Sequence, residues 1–375
     1  MADENGAKTG PIWALGMMSG TSLDGVDAAL VQTDGTRIHA FGPSAYADYT
    51  DAQRTDLRVA LGQWPDGPDV APAARVGEAA HIALARTLLA ENSADLLGYH
   101  GQTLAHDPTN GRTHQAGNGQ VLADMLRVPV VWDFRSKDVA EGGEGAPLAP
   151  FFHHACARFI GADAPIAFLN LGGVGNVTWV DPRIDAPEVP NACLAFDTGP
   201  ANAPINDLML ARRGVALDQG GALALSGLSD EGIVQAFLDH PYFTRQPPKS
   251  LDRDQFPDLL PAVAKLSDAD AARTLAACAA EAVAQGMAHC PSPPTRLLVT
   301  GGGRKNAAIM HELFARLSVP VQDIDDTGLD GDMLEAQAFA FLAVRVASGL
   351  PTSAPSTTGV AAPVGGGKVS SPENS

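Results

Sequence analysis

The stretch 16-GMMSGTSLDGVDAALV-31 sets a knot of Gly, Ser, Thr and Asp between two apolar runs. At a tight turn, Ser19, Gly20, Thr21, Ser22, Leu23, Asp24 and Gly25 offer closely spaced backbone N–H groups and hydroxyls, the equipment that cradles phosphate oxygens. Asp24 and Asp27 are hard oxygen donors that suit a Mg²⁺ ion held through its waters. The same residues also satisfy an ordinary hairpin, where Asp and Gly are favoured for their own geometry, so the turn alone leaves both readings open. Two further glycine turns follow apolar runs: 171-LGGVGN-176, with Gly172 and Gly173, and 300-TGGG-303, with Gly301, Gly302 and Gly303. Three strand-ended small-residue turns suit a nucleotide held between two lobes, although each singly is also compatible with an unrelated turn.

Other residues carry different chemistry. In 196-FDTGPAN-202, Asp197 ends an apolar run before a Thr-Gly-Pro turn. A carboxylate there is a candidate general base for water or a hydroxyl, work worth roughly 10²–10⁴-fold in rate, or else makes an Asx turn to its own backbone. The stretches 98-GYHGQTLAHDP-108 and 114-HQAGNGQVLA-123 gather His100, Gln102, Thr103, Gln115 and Asn118, neutral groups that suit a polyhydroxylated ligand. In 131-VWDFRSKDVAEGGEGAPLAPFFH-153, Arg135 is a candidate partner for a ligand carboxylate or phosphate; a solvated charge cluster or a hinge loop are the alternatives. No GxxxxGK[ST], no strand-to-helix GxGxxG and no HExxH occurs, which argues against P-loop, Rossmann and zincin chemistry.

These residues need elements to hold them. Short β-prone runs from Ile12 to about Phe41 predict a strand meander, and helical spacing of apolar residues predicts a helix from Ala74 to Glu91. A second series opens at 165-PIAFLNLGGVGNVTWVD-181 and repeats the plan of the first: apolar run, small-residue turn, apolar run. Segments 268–289 and 332–348 are predicted helices, and 296–317 a strand, a glycine turn and a helix. The tail from Pro351 is rich in Pro, Ser, Thr and Gly, with part of it expected to order against a lobe.

At 375 residues the chain exceeds one ordinary hydrophobic core, which predicts two lobes. A formal charge of −18 argues against a broad surface for nucleic acid or anionic membrane. The polar N-terminus lacks a secretory pattern, no apolar run approaches a membrane span, and four scattered cysteines fit a reducing compartment, so the expected location is the cytoplasm.

Taken together, GMMSGTSLDGVD, GYHGQTLAHDP, QAGN, DFRSKDVAEGGEGAPLAPFFH, LNLGGVGNVT, FDTGP, PPKS, VTGGGRKNAAIM and MLEAQAFAFLA resemble the anhydro-N-acetylmuramic acid kinase family in order, from residue 16 to about 343. That family is similar to the actin, Hsp70 and hexokinase superfamily. The resemblance implies an α/β, two-lobed, ribonuclease H-like kinase fold with an interdomain ATP cleft. Its lobes are expected at 1–133, with 350–375 packing back on it, and at 134–349. It implies that 1,6-anhydro-N-acetylmuramic acid, ATP and water become N-acetylmuramic acid 6-phosphate and ADP in cell-wall recycling, with Mg²⁺ as metal and a homodimer as a possible assembly. By the same resemblance, Gly20, Thr21, Ser22, Leu23, Asp24, Gly25, Val26 and Asp27 embrace the ATP phosphates, Gly172 and Gly173 approach them, and Gly301, Gly302, Gly303 and Asn306 lie near the adenosine. Asp197 matches the family's catalytic base.

Two departures accompany the match. The family's DxGPGN, with an Asp four residues on, reads here as Asp197-Thr-Gly-Pro-Ala201-Asn202 and then Asn206, and its PPKSTGR reads PPKS-Leu251-Asp252-Arg253. The competing readings are a superfamily ATPase or phosphatase without a sugar pocket, which the stretch from His100 to Asn118 argues against, and a non-catalytic ATP-binding sugar sensor, which has no use for Asp197.

Overall fold

The computed structural model describes residues 10–251 and 255–373. Asp252 and Arg253 lie outside the described residues, as do the first nine residues and the last two. Among the described residues the strands are β1 (Ile12–Ser19), β2 (Gly25–Thr33), β3 (Ile38–Asp48), β4 (Leu96–Asp107), β5 (Arg112–Ala116), β6 (Val130–Trp132), β7 (Ile166–Leu171), β8 (Val174–Val180), β9 (Cys193–Pro200), β10 (Leu297–Thr300), β11 (Val321–Asp323) and β12 (Lys368–Ser370). They form two sheets in an α/β chain, one in each of two compact units. The first unit takes the chain up to Phe159 and again from Met333; the second is Ile160–Asp332.

The first sheet runs β12-β6-β4-β1-β2-β3, with β5 also on β4. The second runs β11-β10-β7-β8-β9. In both, three successive strands form an antiparallel meander and two later strands add in parallel beside its first strand. The repeat of design predicted from the two hairpins is therefore a repeat of topology, although the sequences share little beyond the placing of apolar runs and small turns.

Segments 134–159 and 333–349, expected in the second lobe, belong to the first unit. Helix Leu334–Ala347 crosses β1 and β4 so closely that a Cβ on Gly16 would lie 1.8 Å from the Ala336 carbonyl oxygen, and one on Gly98 2.1 Å from that of Phe339. Gly16 and Gly98 are register partners, so the two glycines open one slot in the sheet, and only a missing side chain lets helix backbone enter it. Helix Pro150–Phe159 then packs against that helix through Phe152 and Phe341, with ring centroids 5.8 Å apart, and against β3 through Phe41 and Phe159 at 5.0 Å. The tail follows: Ser353 bridges Val364, and β12 pairs antiparallel with β6.

Helix Val70–Leu89 starts four residues before the predicted Ala74. Pro72 sits in its first turn, where a missing N–H costs no helical bond. In the second unit, helix Asp268–Met287 buries alanines along most of its length against the sheet. No helix among the described residues is long and apolar enough to cross a membrane.

Candidate active site

In the first unit the β1–β2 turn is closed by the Leu23 N–H, which donates to the Gly20 carbonyl at 3.2 Å. Leu23 takes a left-handed backbone with φ of 59°, uncommon for a branched residue. Its buried side chain and the bonds around it hold that conformation in place. Tyr49 donates its hydroxyl to Ser19 Oγ at 3.0 Å, Ser19 Oγ donates to Gln102 Oε1 at 2.7 Å, and Gln102 Nε2 donates to the Gly20 carbonyl at 3.1 Å. Burial pushes the Tyr49 phenol up, which keeps it a donor. Gly25 allows β3 to close over the turn, since a Cβ there would sit 2.2 Å from the Ala47 carbonyl oxygen. Thr21, Ser22 and Asp24 are exposed, Val26 is buried and Asp27 half-buried.

His100 and Gln102 are buried on β4, with Thr103 half-buried beside them. Arg135 donates from Nε to His100 Nε2 at 3.0 Å and from Nη1 to the Gly145 carbonyl at 2.7 Å. His100 Nδ1 lies 2.8 Å from the Gly101 carbonyl. The accepting Nε2 and donating Nδ1 define the neutral imidazole, in keeping with burial and then the neighbouring guanidinium holding its pKa well below the usual range. Burial draws Arg135 down to about 10, against the pull of Glu335 and Asp138, so it stays charged at neutral pH. Gln115 donates from Nε2 to Thr113 Oγ1 at 2.9 Å and, more distantly, to Thr103 Oγ1 at 3.4 Å. Asn118 is the N-cap of helix Gly119–Leu126, accepting the Gln120 N–H at 2.9 Å. Its side chain therefore has a local structural task.

In the second unit the three remaining sequence features converge. Gly172 and Gly173 follow β7, and Thr300 pairs with Asn170 where β10 ends beside β7. The Gly172 carbonyl accepts the Asn202 N–H at 3.0 Å and the Gly173 carbonyl accepts that of Ala201 at 2.9 Å, which ties the turn to the start of helix Asn202–Arg213. Gly301 has φ of +75°, and a Cβ there would meet Asn170 Oδ1 at 2.2 Å; one on Gly303 would meet Leu171 Cβ at 2.4 Å. Gly302 has open space instead. Asn306, placed by sequence near an adenosine, caps helix Ala307–Arg316 by accepting the N–H groups of Ala308 and Ile309.

Asp197 lies near the end of β9, opposite Asn176. Its N–H donates to the Lys249 carbonyl at 2.9 Å, its carbonyl accepts the Tyr242 hydroxyl at 2.6 Å, and Oδ2 accepts the Leu251 N–H at 2.8 Å. The nearby carboxylate and burial together push the Tyr242 phenol up, burial more strongly. Lys249 is 5% exposed, with Nζ 4.6 Å from the Tyr242 ring centroid. Sequence reading quoted PPKS without assigning it a task, and Tyr242 stands in no motif; the bonds that fix Asp197 are mostly to backbone, which leaves no side-chain signature. Tyr49 was likewise missed, and Asp138 stood only within a charge cluster, whereas Ser19 belonged to the turn already singled out. Ala201 is buried at the N-cap of its helix and keeps the bond to Gly173, while Asn206 is half-buried one turn on.

The family model for anhydro-N-acetylmuramic acid kinase matches residues 13–371. The anhydro-N-acetylmuramic acid kinase of Cereibacter sphaeroides is 66% identical over 366 residues, covering 98% of both chains. That of Ruegeria sp. is 61% identical over 367 residues, 98% of this chain and 97% of its own. Among solved structures, the xylulose kinase of Rhodospirillum rubrum aligns at a TM-score of 0.46 and 15% identity, over 96% of this chain and 94% of that one. With a family model spanning nearly all of its described residues and relatives above 60% identity along its length, the chain belongs to the anhydro-N-acetylmuramic acid kinase family.

Proposed function

We propose that this chain is an ATP-dependent kinase that opens 1,6-anhydro-N-acetylmuramic acid with water and phosphorylates its 6-oxygen. The observation that carries the reading is the fixation of Asp197. Bonds to its N–H, its carbonyl and Oδ2 hold one carboxylate in a set direction. A general base needs that orientation, because proton transfer works only within hydrogen-bond reach. Asp197 takes a proton from water as the water oxygen bonds to the anomeric carbon. The bond from that carbon to the bridging oxygen breaks, and the freed 6-oxygen attacks the γ-phosphorus of ATP. ADP leaves, so one water, one sugar and one phosphoryl group are accounted for in N-acetylmuramic acid 6-phosphate.

Gly20, Thr21, Ser22, Leu23, Gly25 and Val26 supply backbone and hydroxyl donors for the phosphates, and Gly172, Gly173, Gly301, Gly302, Gly303 and Asn306 serve the nucleotide from the second unit. Asp24 and Asp27 fit a Mg²⁺ ion. Tyr46, the register partner of Asp27, has its phenol pushed up to about 12 by burial, then by Asp48, Asp24 and Asp27, which puts the two carboxylates in one neighbourhood. Among the described residues no three His, Cys, Asp or Glu groups are placed to hold a metal, and two carboxylates suit an ion that keeps most of its waters. When bound, such an ion neutralises charge on the transferring phosphoryl group.

His100, Gln102, Thr103, Gln115 and Asn118 line the sugar side in this reading. Arg135 meets the carboxylate that makes muramic acid an acid, because Nε and Nη1 are already committed and fix the plane of the fork. The site of action is the cytoplasm, where ATP is available, and a homodimer is the assembly that the family resemblance suggests.

The test is incubation with ATP, Mg²⁺ and the anhydrosugar in ¹⁸O-labelled water. Sugar-dependent ADP with label at the anomeric hydroxyl is expected, and Asp197→Asn is expected to lower kcat by roughly 10²–10⁴-fold. ADP release indifferent to sugar sinks the kinase, and a fully active Asp197→Asn sinks the base.

A further inference from the structure

One buried carboxylate of the first unit has no part in that chemistry. Asp138 is 1% exposed. Its Oδ1 accepts the Gly145 N–H at 2.7 Å, and its Oδ2 accepts the hydroxyls of Thr358, at 2.6 Å, and of Ser353. The two hydroxyls come from the returning tail, more than two hundred positions along the chain. The same tail accepts the Glu144 N–H at the Thr358 carbonyl, 2.7 Å away. From the other side, His106 Nε2 on β4 lies 2.9 Å from the Glu144 carbonyl.

The loop inside this clamp has no slack. A Cβ on Gly143 would fall 2.2 Å from Asp138 Oδ1 and 2.5 Å from Val360. Gly145 has φ of +68°, and a Cβ there would fall 2.6 Å from Val139. What the clamp presents is the Gly145 carbonyl, the acceptor for Arg135 Nη1, while Arg135 Nε is held by His100. Two anchors on one planar fork fix both its plane and its direction.

We propose that Asp138, gripped by Ser353 and Thr358, is a positioning residue for sugar recognition: it fixes Gly145, and through Gly145 it aims the Arg135 guanidinium at the substrate carboxylate. The proposal rests on the reading of Arg135 given under Proposed function. It makes the tail a working part of the substrate site, although none of its residues touches the substrate.

The test uses the full chain carrying Thr358→Val, Thr358→Ser, Ser353→Ala or Asp138→Asn. KM for the anhydrosugar, KM for ATP and kcat are measured, with the inhibition constant of 1,6-anhydro-N-acetylglucosamine, the same bicyclic ring without the carboxylate. Thr358→Val and Asp138→Asn are expected to raise sugar KM roughly tenfold and to leave ATP KM and the inhibition constant within about twofold. Thr358→Ser, which keeps the hydroxyl, is expected to restore the sugar KM. A folded Thr358→Val with wild-type sugar KM overturns the proposal, and so does equal weakening of the sugar and its carboxylate-free analogue. Should Asp138→Asn fail to fold, the Thr358 pair and Ser353→Ala decide, because they retain the carboxylate. Arg135→Ala separates the two levels: unchanged preference for the carboxylated sugar overturns the reading of Arg135 and the proposal with it. Preference that depends on Arg135 but not on Thr358 overturns the proposal alone.

Discussion

The two units share a strand order but solve the same packing problems with different residues. In the first unit the slot for the crossing helix is cut in the sheet, by Gly16 and Gly98. In the second it is cut in the helix, where buried alanines of Asp268–Met287 face the strands and a Cβ on Gly199 would meet the Ala282 methyl at 2.6 Å, with the Phe243 ring at ordinary contact distance. The site turns differ in the same sense. Side chains of Ser19, Tyr49 and Gln102 brace the turn of the first unit, whereas in the second the backbone of Ala201, Asn202, Lys249 and Leu251 does more of the bracing, joined by the Asn202 amide on the Gly172 carbonyl and the Tyr242 hydroxyl on that of Asp197. One topology thus leaves the choice open between shaping the strand and shaping its cover, and the choice decides which substitutions each unit tolerates.

A third difference separates the units in acid, and it carries the largest expected effect. His81, His100, His153 and His154 are buried in the first unit, whereas His240, His289 and His311 of the second are not. Burial lowers His81 to about 4 and His153 to about 3, against 6.5 for an ordinary histidine. The unfolded chain therefore binds protons at these sites below pH 6.5 while the folded one does not. Their stabilising contribution is complete above pH 6.5 and falls by about 1.4 kcal/mol per pH unit for each as pH drops toward the folded values. By pH 4.5 the first unit loses roughly 5 kcal/mol from this pair. Hydrogen exchange followed by peptide across pH 7 to 4.5 is expected to show protection lost earlier at 81–105 and 150–158 than in 268–287, with His81→Gln moving the first unit's loss to lower pH. Loss at one common pH, unmoved by that variant, breaks the comparison.

The slots supply the next effect. Gly16→Ala drives a methyl into helix backbone, which has no rotamer to yield, and is expected to cost more than about 3 kcal/mol or to prevent the first unit from folding. Gly199→Ala meets the Ala282 methyl at 2.6 Å rather than a carbonyl oxygen at 1.8 Å, so its helix must draw back by less, at a smaller cost of about 1–3 kcal/mol. Urea unfolding of the two variants measures the difference; equal costs would mean that the two covers are equally adaptable.

The sequence made much of this visible, and the reasons are local. The hairpins, the glycine turns and the helices at 268–289 and 332–348 announced themselves by apolar period and small residues, and the structure has elements at each. The unit boundary was less legible. Gly16 and Gly98 read as strand residues of no special kind, and nothing in their neighbours tells that helix Leu334–Ala347 returns to fill the gap they leave. At the site, the Asp197 carboxylate was visible before its Thr-Gly-Pro turn, with a base and an Asx turn both open and the base role implied by the family resemblance. Its supports were not, because a backbone N–H is carried by nearly every residue type. Asn118 and Asn306 hid a second task for a related reason: an Asn beside a glycine turn reads as a ligand group, and nothing in its neighbours announces that its Oδ1 also caps a helix.

That distinction gives the smallest expected effect and the sharpest use of the comparison. At 251 this chain has Leu where the family pattern has Thr, yet the contact with Asp197 runs through the Leu251 N–H to Oδ2 at 2.8 Å. Leu251→Ala keeps that donor and is expected to leave kcat within about twofold. Leu251→Pro removes it, and losing a hydrogen bond to a charged group is expected to lower kcat roughly tenfold, with KM for ATP little changed. The first unit should answer in reverse. Gln102→Leu changes only a side chain, yet it breaks the bonds to Ser19 and to the Gly20 carbonyl together, so KM for ATP rises along with KM for the sugar that Gln102 faces, while the bonds that hold Asp197 stay in place. If Leu251→Ala costs as much as Leu251→Pro, the base is held by side-chain packing, and the contrast between a side-chain-braced turn and a backbone-braced carboxylate fails at the residue where it is drawn most sharply.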